Sequence, residues 1–342
     1  MLRALVASLK ISAGSQSPQG KKRGFALLSA WIVVSQLLGL ATVLEREFIR
    51  PPSAAAGVDD ISDTGSEGSA TATGTGAFAI GVDAAASGFK ATALGASAQA
   101  LNNGATAIGR QANAAGFVSF AGGSFANATG NAATAIGRRA NAAGSNSFAG
   151  GSYATAIGGS SVAIGDRSNA SESNAVAIGN AASAVVNSVA IGAGANSASH
   201  NAVAIGQKAN ASCRQSTAIG SFANATANGA TALGDGTQAS AQFATALGHC
   251  SSASGYSAVA VGGKANANGY EAIAIGYADA LSNSAIGIGN LAFANGNRAA
   301  ALGWTANASS DFATALGANT TAQGLSSVAL GYAANGLATQ ST

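Results

Sequence analysis

Charged, aromatic and proline residues are scarce in this chain of 342 residues. Charged residues make up 8% and aromatic residues 6%, and there are 3 prolines, 2 cysteines and 2 histidines. So few cysteines and histidines leave little material for metal or redox chemistry, and so little charge argues against an enzyme with buried catalytic groups. Three prolines without a Gly-X-Y period exclude collagen. Hydrophobic residues make up 48% of the chain, which argues against a disordered protein.

Positive charge is concentrated at the amino terminus. Seven of the 16 basic residues lie in the first 50 positions, and nine are spread over the remaining 292. That density is too low for a nucleic-acid footprint, and no aromatic stripe accompanies it. We therefore expect no nucleic-acid partner.

The amino-terminal region, residues 1–50, contains a 21-residue run without charge at 24–44. A helix of that length spans roughly 30 Å at about 1.5 Å per residue, enough to cross a bilayer. Basic residues precede the run at 21–23. The run therefore predicts one apolar helix, either a cleaved signal peptide or a retained anchor, that sends the following chain out of the cytoplasm. A buried helix of a soluble domain is the alternative.

Residues 51–76 begin with two prolines and are otherwise rich in Ser, Thr, Ala, Gly and Asp. This composition predicts a flexible linker between the apolar run and the rest of the chain.

The remainder of the chain is built on one repeat, a four-residue unit of the type TAIG or VAIG. Its closing glycine occurs 19 times, and the interval from one to the next is fourteen positions in all but two cases, where it is thirteen. The closing glycines are Gly81, Gly95, Gly109, Gly123, Gly137, Gly151, Gly165, Gly179, Gly192, Gly206, Gly220, Gly234, Gly248, Gly262, Gly276, Gly289, Gly303, Gly317 and Gly331. Positions below are counted from this glycine.

Each unit alternates large and small side chains. Positions −3 and −1 are mostly β-branched or aliphatic, position −2 is almost always Ala, and Ala recurs at +3 and +5 with Asn between them. Because side chains alternate faces along a strand, the two large residues share one face. We expect that face to point inward, and the closing glycine to lie in a turn with positive φ.

Two short strands and two turns in each repeat predict one coil of a narrow, all-β solenoid. Coils stack about 4.8 Å apart, so the 19 units give a rod of roughly 90 Å. So thin a rod buries little apolar area per coil. We therefore expect it to form an oligomer, with association through the columns of small residues.

These units resemble the head of trimeric autotransporter adhesins, the YadA-type left-handed parallel β-roll with Hep/Hag repeats. The most similar stretch is NSVAIGA at 187–193, together with NAVAIG at 174–179 and 201–206, and the resemblance covers residues 77–340. It implies a left-handed β-roll that forms a homotrimer on the bacterial surface or outer membrane, or is secreted, and that acts in virulence. It also implies a non-enzymatic adhesin that binds matrix proteins such as collagen, or host cell surfaces.

Two features depart from that family. In that family the head continues into a coiled-coil stalk, whereas this sequence contains no apolar heptad run that would form one. The family also ends in a membrane anchor of amphipathic strands, whereas this sequence stops at Thr342, eleven residues after the last closing glycine. We expect a fragment, or a head carried by another anchor. Contact with a membrane would come only through 24–44 or through a missing carboxy-terminal anchor.

Two sets of residues are candidate sites. The resemblance carries collagen binding onto Asn187, Ser188, Val189, Ala190, Ile191 and Gly192. Separately, stacking is expected to align the basic residues just after the closing glycine into a ridge. The ridge is either a binding site for acidic glycans or matrix protein, or an ordinary row of solvated charges. Its residues are Arg110, Arg138, Arg139, Arg167, Lys208 and Lys264. The few Asp and Glu in 78–342 give no catalytic pair and no metal set, so we expect no catalytic residues, metal or cofactor.

Two other functions compete with adhesion. One is a structural surface-coat rod without a specific ligand. The other is an ice-binding solenoid, because threonine recurs at position −3 in seven coils. That column also contains Val, Ile and Phe, and we expect it to be buried with the Ile column, whereas an ice-binding face must be exposed and regular.

Overall fold

All regular structure in the described part of the protein is β-strand. The computed structural model describes residues 68–337, which form 39 strands in two parallel sheets. No helix in this range is long and apolar enough to span a bilayer. The apolar run at 24–44 lies outside the described residues, so the amino-terminal helix stays a prediction.

One sheet, called the Ile sheet, contains the TAIG-type strands, each three residues long. Its 19 strands are Phe78–Ile80, Thr92–Leu94, Thr106–Ile108, Phe120–Gly122, Thr134–Ile136, Phe148–Gly150, Val162–Ile164, Val176–Ile178, Val189–Ile191, Val203–Ile205, Thr217–Ile219, Thr231–Leu233, Thr245–Leu247, Val259–Val261, Ile273–Ile275, Ile286–Ile288, Ala300–Leu302, Thr314–Leu316 and Val328–Leu330.

The other sheet, called the Asn sheet, contains two-residue strands and confirms the predicted second strand of each coil. Its 20 strands are Thr71–Ala72, Ala85–Ala86, Gln99–Ala100, Asn113–Ala114, Asn127–Ala128, Asn141–Ala142, Thr155–Ala156, Asn169–Ala170, Ser183–Ala184, Asn196–Ser197, Asn210–Ala211, Asn224–Ala225, Gln238–Ala239, Ser252–Ala253, Asn266–Ala267, Asp279–Ala280, Phe293–Ala294, Asn307–Ala308, Thr321–Ala322 and Asn335–Gly336.

Each strand pairs in parallel with the equivalent strand one coil away. Thr106 pairs with Phe120 in the Ile sheet, and Asn113 pairs with Asn127 in the Asn sheet, so both ladders advance by one repeat. The all-β parallel solenoid of 19 coils is thereby confirmed. The first strand, Thr71–Ala72, pairs with Ala85–Ala86, so the linker prediction for 51–76 is wrong from Thr71 onward; residues 51–67 lie outside the described residues.

The two shorter coils each lose one residue from a turn and keep the strand register. Between Ala184 and Val189 the turn is shorter by one residue, and Val176 still pairs with Val189. After Gly276 the other turn is shorter, and Asn266 still pairs with Asp279. The ladder thus tolerates a deletion only where the chain leaves the sheets.

The interior of the coil contains only small side chains. Every buried hydrophobic residue in 68–337 is an alanine, and the largest fully buried side chains are Thr237 and Thr320. Four positions per coil point inward, namely −4 and −2 on the Ile sheet and +3 and +5 on the Asn sheet. In the coil around Gly109 these are Ala105, Ala107, Ala112 and Ala114, all at 0% exposure.

The prediction that the large aliphatic residues point inward is therefore wrong. The middle residue of every Ile-sheet strand is buried and the flanking residues are half-buried or exposed; Ala204 is at 0% while Ile136 is 45% exposed. Association through the alanine columns is wrong for the same reason, because those columns fill the interior. The physical cause is the short coil, whose two sheets lie too close together for larger side chains.

Gly287 shows how thin this interior is. It stands where other coils have alanine, in one of the two shorter coils, and a Cβ at that position would lie 2.7 Å from the carbonyl oxygen of Asp279 on the opposite sheet. Even a methyl group does not fit there.

The closing glycines have positive φ, as predicted, between +92° and +138°. At Gly206 a Cβ would also collide with the carbonyl oxygen of Gly220 in the next coil. The residue two positions after the closing glycine often has positive φ without being glycine, as at Gln111 with +55°. The residue after that closes the turn, since the Ala112 N–H donates to the Gly109 carbonyl at 3.1 Å.

Ala204→Leu tests which residues fill the coil. We expect it to destabilise the fold by about 1–3 kcal/mol or more, because added methylenes do not fit a close-packed interior. Ala193→Leu, at an exposed turn position in the preceding coil, should change stability by less than about 0.5 kcal/mol. Denaturant unfolding followed by circular dichroism measures both. Equal stability of the two variants would contradict an alanine-filled interior.

Candidate functional site

The outer side of the Ile sheet, formed by positions −3 and −1, is a stripe that runs the length of the described solenoid. Position −1 is aliphatic in all but two coils, and position −3 is aliphatic, aromatic or threonine, so the stripe is largely apolar. We call it the aliphatic face. Exposure of its larger members is substantial: Ile136 is 45% exposed, Ile164 39% and Leu316 43%. Monomeric soluble proteins rarely expose a continuous apolar stripe of this kind, so it marks an interaction surface.

Two coils preserve the volume of the aliphatic face by a paired exchange. In these coils Phe occupies position −3 and Gly occupies −1, as Phe120 with Gly122 and Phe148 with Gly150. A Cβ on either glycine would lie 2.7 Å from Cε1 of its phenylalanine, so the ring covers the space left by the missing aliphatic side chain. Such compensation is expected of a packed surface rather than a solvated one.

The collagen-type motif is split between interior and surface. Ser188 and Ala190 are buried at 0% exposure and offer no surface to a ligand. The Ser188 hydroxyl lies 2.9 Å from that of Ser197 inside the coil. Val189 and Ile191 lie on the aliphatic face, Gly192 begins the following turn, and Asn187 is the exposed residue.

Asn187 belongs to a short column of asparagines on the turn that precedes the Ile sheet. Asn174, Asn187 and Asn201 occupy this turn in three successive coils, each two positions before a VAI strand. All three are exposed with positive φ, and Asn174 Nδ2 donates to Asn187 Oδ1 at 3.0 Å. Sequence reasoning singled out only the middle one of these three side chains.

The basic residues do not form one ridge. Four arginines gather around two aromatic rings on the turn that follows the Ile sheet, whereas Lys208 and Lys264 lie in other coils, 5.3 Å from the ring centroid of Phe222 and 5.7 Å from that of Tyr277. The group of four with its rings is called the arginine ladder and consists of Arg110, Phe125, Arg138, Arg139, Tyr153 and Arg167.

Cation–π contacts hold the arginine ladder together. The Arg110 guanidinium lies 4.4 Å from the Phe125 ring centroid, and that of Arg138 lies 4.6 Å from Tyr153. Arg139 lies between both rings, 5.4 Å from each centroid. Sequence reasoning found the arginines and missed the rings, although residues 125, 139, 153 and 167 are spaced by one full repeat and must stack in one column.

Tyr153 is tied to the ladder electrostatically. Its hydroxyl oxygen lies 3.1 Å from Nη1 of Arg138 and 3.0 Å from Nη1 of Arg139. Partial desolvation acts to raise the pKa of the Tyr153 phenol, but the hydrogen bonds and positive charges of the two arginines outweigh it and lower the pKa below its ordinary value.

A second aromatic cluster lies on the other turn and was not anticipated from the sequence. Phe243 contacts Tyr256 edge to face with centroids 5.8 Å apart, and Tyr256 stacks on Tyr270 at 5.2 Å. All three rings are at least 40% exposed. The charge of Glu271, with a contribution from desolvation, raises the pKa of the Tyr270 phenol.

The Asn column of the Asn sheet forms amide ladders. Nδ2 of Asn113 donates to Oδ1 of Asn127 at 2.8 Å, and Nδ2 of Asn127 donates to Oδ1 of Asn141 at 2.9 Å. A second run links Asn196, Asn210 and Asn224. These side-chain hydrogen bonds join successive coils and so stabilise the stack.

Side chains that could ligate a metal are sparse among residues 68–337. No three His, Cys, Asp or Glu side chains in that range group as metal ligands. His249 Nε2 lies 3.5 Å from Asp235 Oδ2 and 3.6 Å from Cys250 Sγ. Because the same nitrogen faces both partners, the ring cannot relay a proton from thiol to carboxylate.

The expectation that the threonines at position −3 are buried is wrong, because this position lies on the outer face and its threonines are half-buried. The mixed composition of that column remains: Thr134 has Phe120 and Phe148 as its neighbours in the ladder. An irregular column does not present the repeating threonine array that ice binding requires.

Fold and surface together define a solenoid repeat protein of the parallel β class, with an alanine interior and an apolar outer face. Models of known families identify it further: the YadA head domain repeat matches residues 86–112, 128–154, 156–182, 186–209, 199–223, 211–237, 225–249, 253–278, 280–306, 294–320 and 308–334. These matches cover more than half of the chain, which belongs to the YadA head repeat family. No curated protein matches it significantly.

The pKa of Tyr153 provides a test of the arginine ladder. With tyrosine ring carbons labelled for NMR, we expect the pKa of Tyr153 to lie below the ordinary tyrosine value of about 10 and that of Tyr270 to lie above it. Arg138→Gln with Arg139→Gln should raise the pKa of Tyr153. Because the folded-state pKa is lowered, the ionised ring stabilises the fold above the unfolded pKa of about 10, and this stabilisation is lost as the pH falls through the folded-state pKa. An unchanged titration in the double variant would contradict the contacts described.

Proposed function

We propose that this chain is the head of a homotrimeric adhesin that is displayed on the bacterial surface and binds host matrix proteins or cell surfaces. Membership in the YadA head repeat family supports an adhesin-type surface domain without enzymatic activity. The exposure of the aliphatic face is the observation that supports a trimer. The left-handed winding, the outer-membrane or secreted location and the role in virulence are part of the same proposal.

Two further copies of this chain are the occupants proposed for the aliphatic face. Its side chains recur once per coil, about every 4.8 Å along the stack. A partner that covers the whole stripe must present side chains at the same interval, and another copy of the same solenoid does so. The Phe–Gly exchange at Phe120 and Gly122 supports a packed interface, because it keeps the height of the face even.

Burial of this face also compensates for the small interior. An interior of alanines removes little apolar surface from water per coil, at roughly 25 cal/mol per Å². The larger side chains at positions −3 and −1 contribute fully only when another surface covers them. The proposal therefore makes assembly a condition of stability.

Ile205→Asp tests the trimer. An unpaired carboxylate in an apolar interface should weaken association by about 3 kcal/mol or more, and sedimentation equilibrium should then show monomers at concentrations where the unaltered head is trimeric. Gln207→Asp places the same charge on an exposed turn two residues away and should leave the trimer intact. A head that is monomeric without any substitution would refute the proposed assembly.

Collagen-type binding is proposed for the asparagine turn rather than for the whole NSVAIG segment. Ser188 and Ala190 are buried, and Val189 and Ile191 face the proposed trimer contact. Asn187, flanked by Asn174 and Asn201, is left to meet a ligand. Amide side chains both donate and accept hydrogen bonds, which suits the exposed backbone groups of an extended matrix protein.

Substitution of the three asparagines by glycine tests this site. Glycine keeps the positive φ of the turn while removing the amide, so we expect the folded trimer to lose on the order of a hundredfold in collagen affinity, given about 1 kcal/mol for each of the three lost hydrogen bonds. Asn146→Gly is the matched control, since Asn146 occupies the same turn with φ +56° but precedes no VAI strand. Surface plasmon resonance on immobilised collagen measures binding. No saturable binding by the unaltered trimer would favour a surface-coat rod without a specific ligand.

A further inference from the structure

The arginine ladder is a concentrated positive site on an otherwise weakly charged solenoid. Residues 110–167 contain four arginines and one carboxylate, that of Asp166. Asp166 pairs with Arg167 at 2.9 Å, and within residues 68–337 no other arginine pairs with a carboxylate. Arg110, Arg138 and Arg139 are exposed and keep their charge available to an external anion.

The two rings hold the guanidinium groups in place before any ligand arrives. Phe125 and Tyr153 are only half-exposed, whereas Phe222 on the same turn is 52% exposed, because the arginines cover the rings of the ladder. Each guanidinium has five N–H donors, and in Arg138 and Arg139 the Tyr153 hydroxyl engages only Nη1. Donors therefore remain on side chains whose freedom is already reduced, which lowers the entropic cost of binding.

The arrangement is linear and regular. Phe125, Arg139, Tyr153 and Arg167 lie in one column, with Arg138 beside Arg139 and Arg110 one coil before Phe125. At about 4.8 Å per coil, the arginines span roughly 19 Å along the axis of the stack. A linear polymer with regularly spaced anionic groups matches such an array.

We propose that the arginine ladder binds a linear sulfated polysaccharide. A guanidinium donates two parallel hydrogen bonds to tetrahedral oxyanions such as phosphate, and sulfate offers the same oxygens. A nucleic acid fits less well, because base stacking needs free aromatic faces and the arginines occupy those of Phe125 and Tyr153. This inference rests on the proposed adhesin function and names a second ligand class, at a site separate from the asparagine turn.

Heparin fragments of defined length, immobilised on a sensor surface, are the probe. Arg138→Gln with Arg139→Gln in the full chain should weaken binding by at least about a hundredfold, since a hydrogen bond to a charged group accounts for roughly a factor of ten or more. Lys208→Gln with Lys264→Gln removes the same charge from the same turn in other coils and should weaken binding less than about threefold. The apparent affinity of the unaltered chain should fall steeply with salt, as expected when several anions are neutralised.

Three outcomes would overturn the proposal. One is an equal loss in the arginine and lysine variants, which would show unspecific attraction to net charge. Another is equal binding of chemically desulfated heparin. The third is equal competition by single-stranded DNA of the same charge.

A second pair of substitutions serves if Arg138→Gln with Arg139→Gln lowers the melting temperature. Arg138→Lys with Arg139→Lys keeps the positive charge and removes the forked donors, and it should still lose at least about tenfold in heparin affinity.

The contribution of the rings is tested separately. Phe125→Leu with Tyr153→Leu keeps all four positive charges and removes the surfaces that hold them, so affinity should fall by about five- to tenfold. An unchanged affinity would show that the rings do not organise the site. Collagen binding by the arginine variants, measured in parallel, should be unaffected. If the unaltered chain also failed to bind collagen, that result would reject the proposed collagen binding and not the polysaccharide site.

Discussion

The narrowness of the coil is the constraint on which the rest of this structure depends. Fourteen residues that must supply two strands and two tight turns leave an interior that admits methyl and hydroxyl groups and little else. Alanine and serine therefore occupy the inward positions, and the hydroxyl groups donate to turn carbonyls, as from Ser147 to Gly144 at 2.7 Å. Gly287 shows the limit, where even a methyl group would meet the opposite sheet.

Since the interior excludes large side chains, the aliphatic residues must lie outside. A folded single chain therefore retains a continuous apolar stripe, unlike an ordinary globular domain, in which the large side chains are covered by the same chain. The same constraint links folding to assembly: what a coil cannot bury within itself it can bury against another coil of equal pitch. The even height maintained by Phe148 and Gly150 is consistent with that requirement.

The sequence predicts the spacing of the strands and turns better than it predicts which face of each strand points inward. The repeat period, the strand positions and the positive φ of the closing glycines all follow from the columns, because a period fixes register directly. Alternation also shows that Val203 and Ile205 share a face and that Ala204 lies on the other. It does not show which face is inward, and the usual rule that large aliphatic residues are buried led to the wrong answer. The size of the coil, rather than hydrophobicity, decides it.

The candidate sites also divide into features that the repeat columns reveal and features that they do not. Stacking arithmetic places Arg139 directly between Phe125 and Tyr153, so the arginine ladder was accessible to sequence reasoning that compared unlike residues within one column. The division of the NSVAIG segment into buried and exposed residues was not accessible in this way, because it depends on which face of the strand points inward.

Turn columns are also where such a protein can vary freely. Each coil contacts only its neighbours, and the inward positions stay small throughout, so substitutions at the turns can create a binding site in a few coils without altering the stack that supports it.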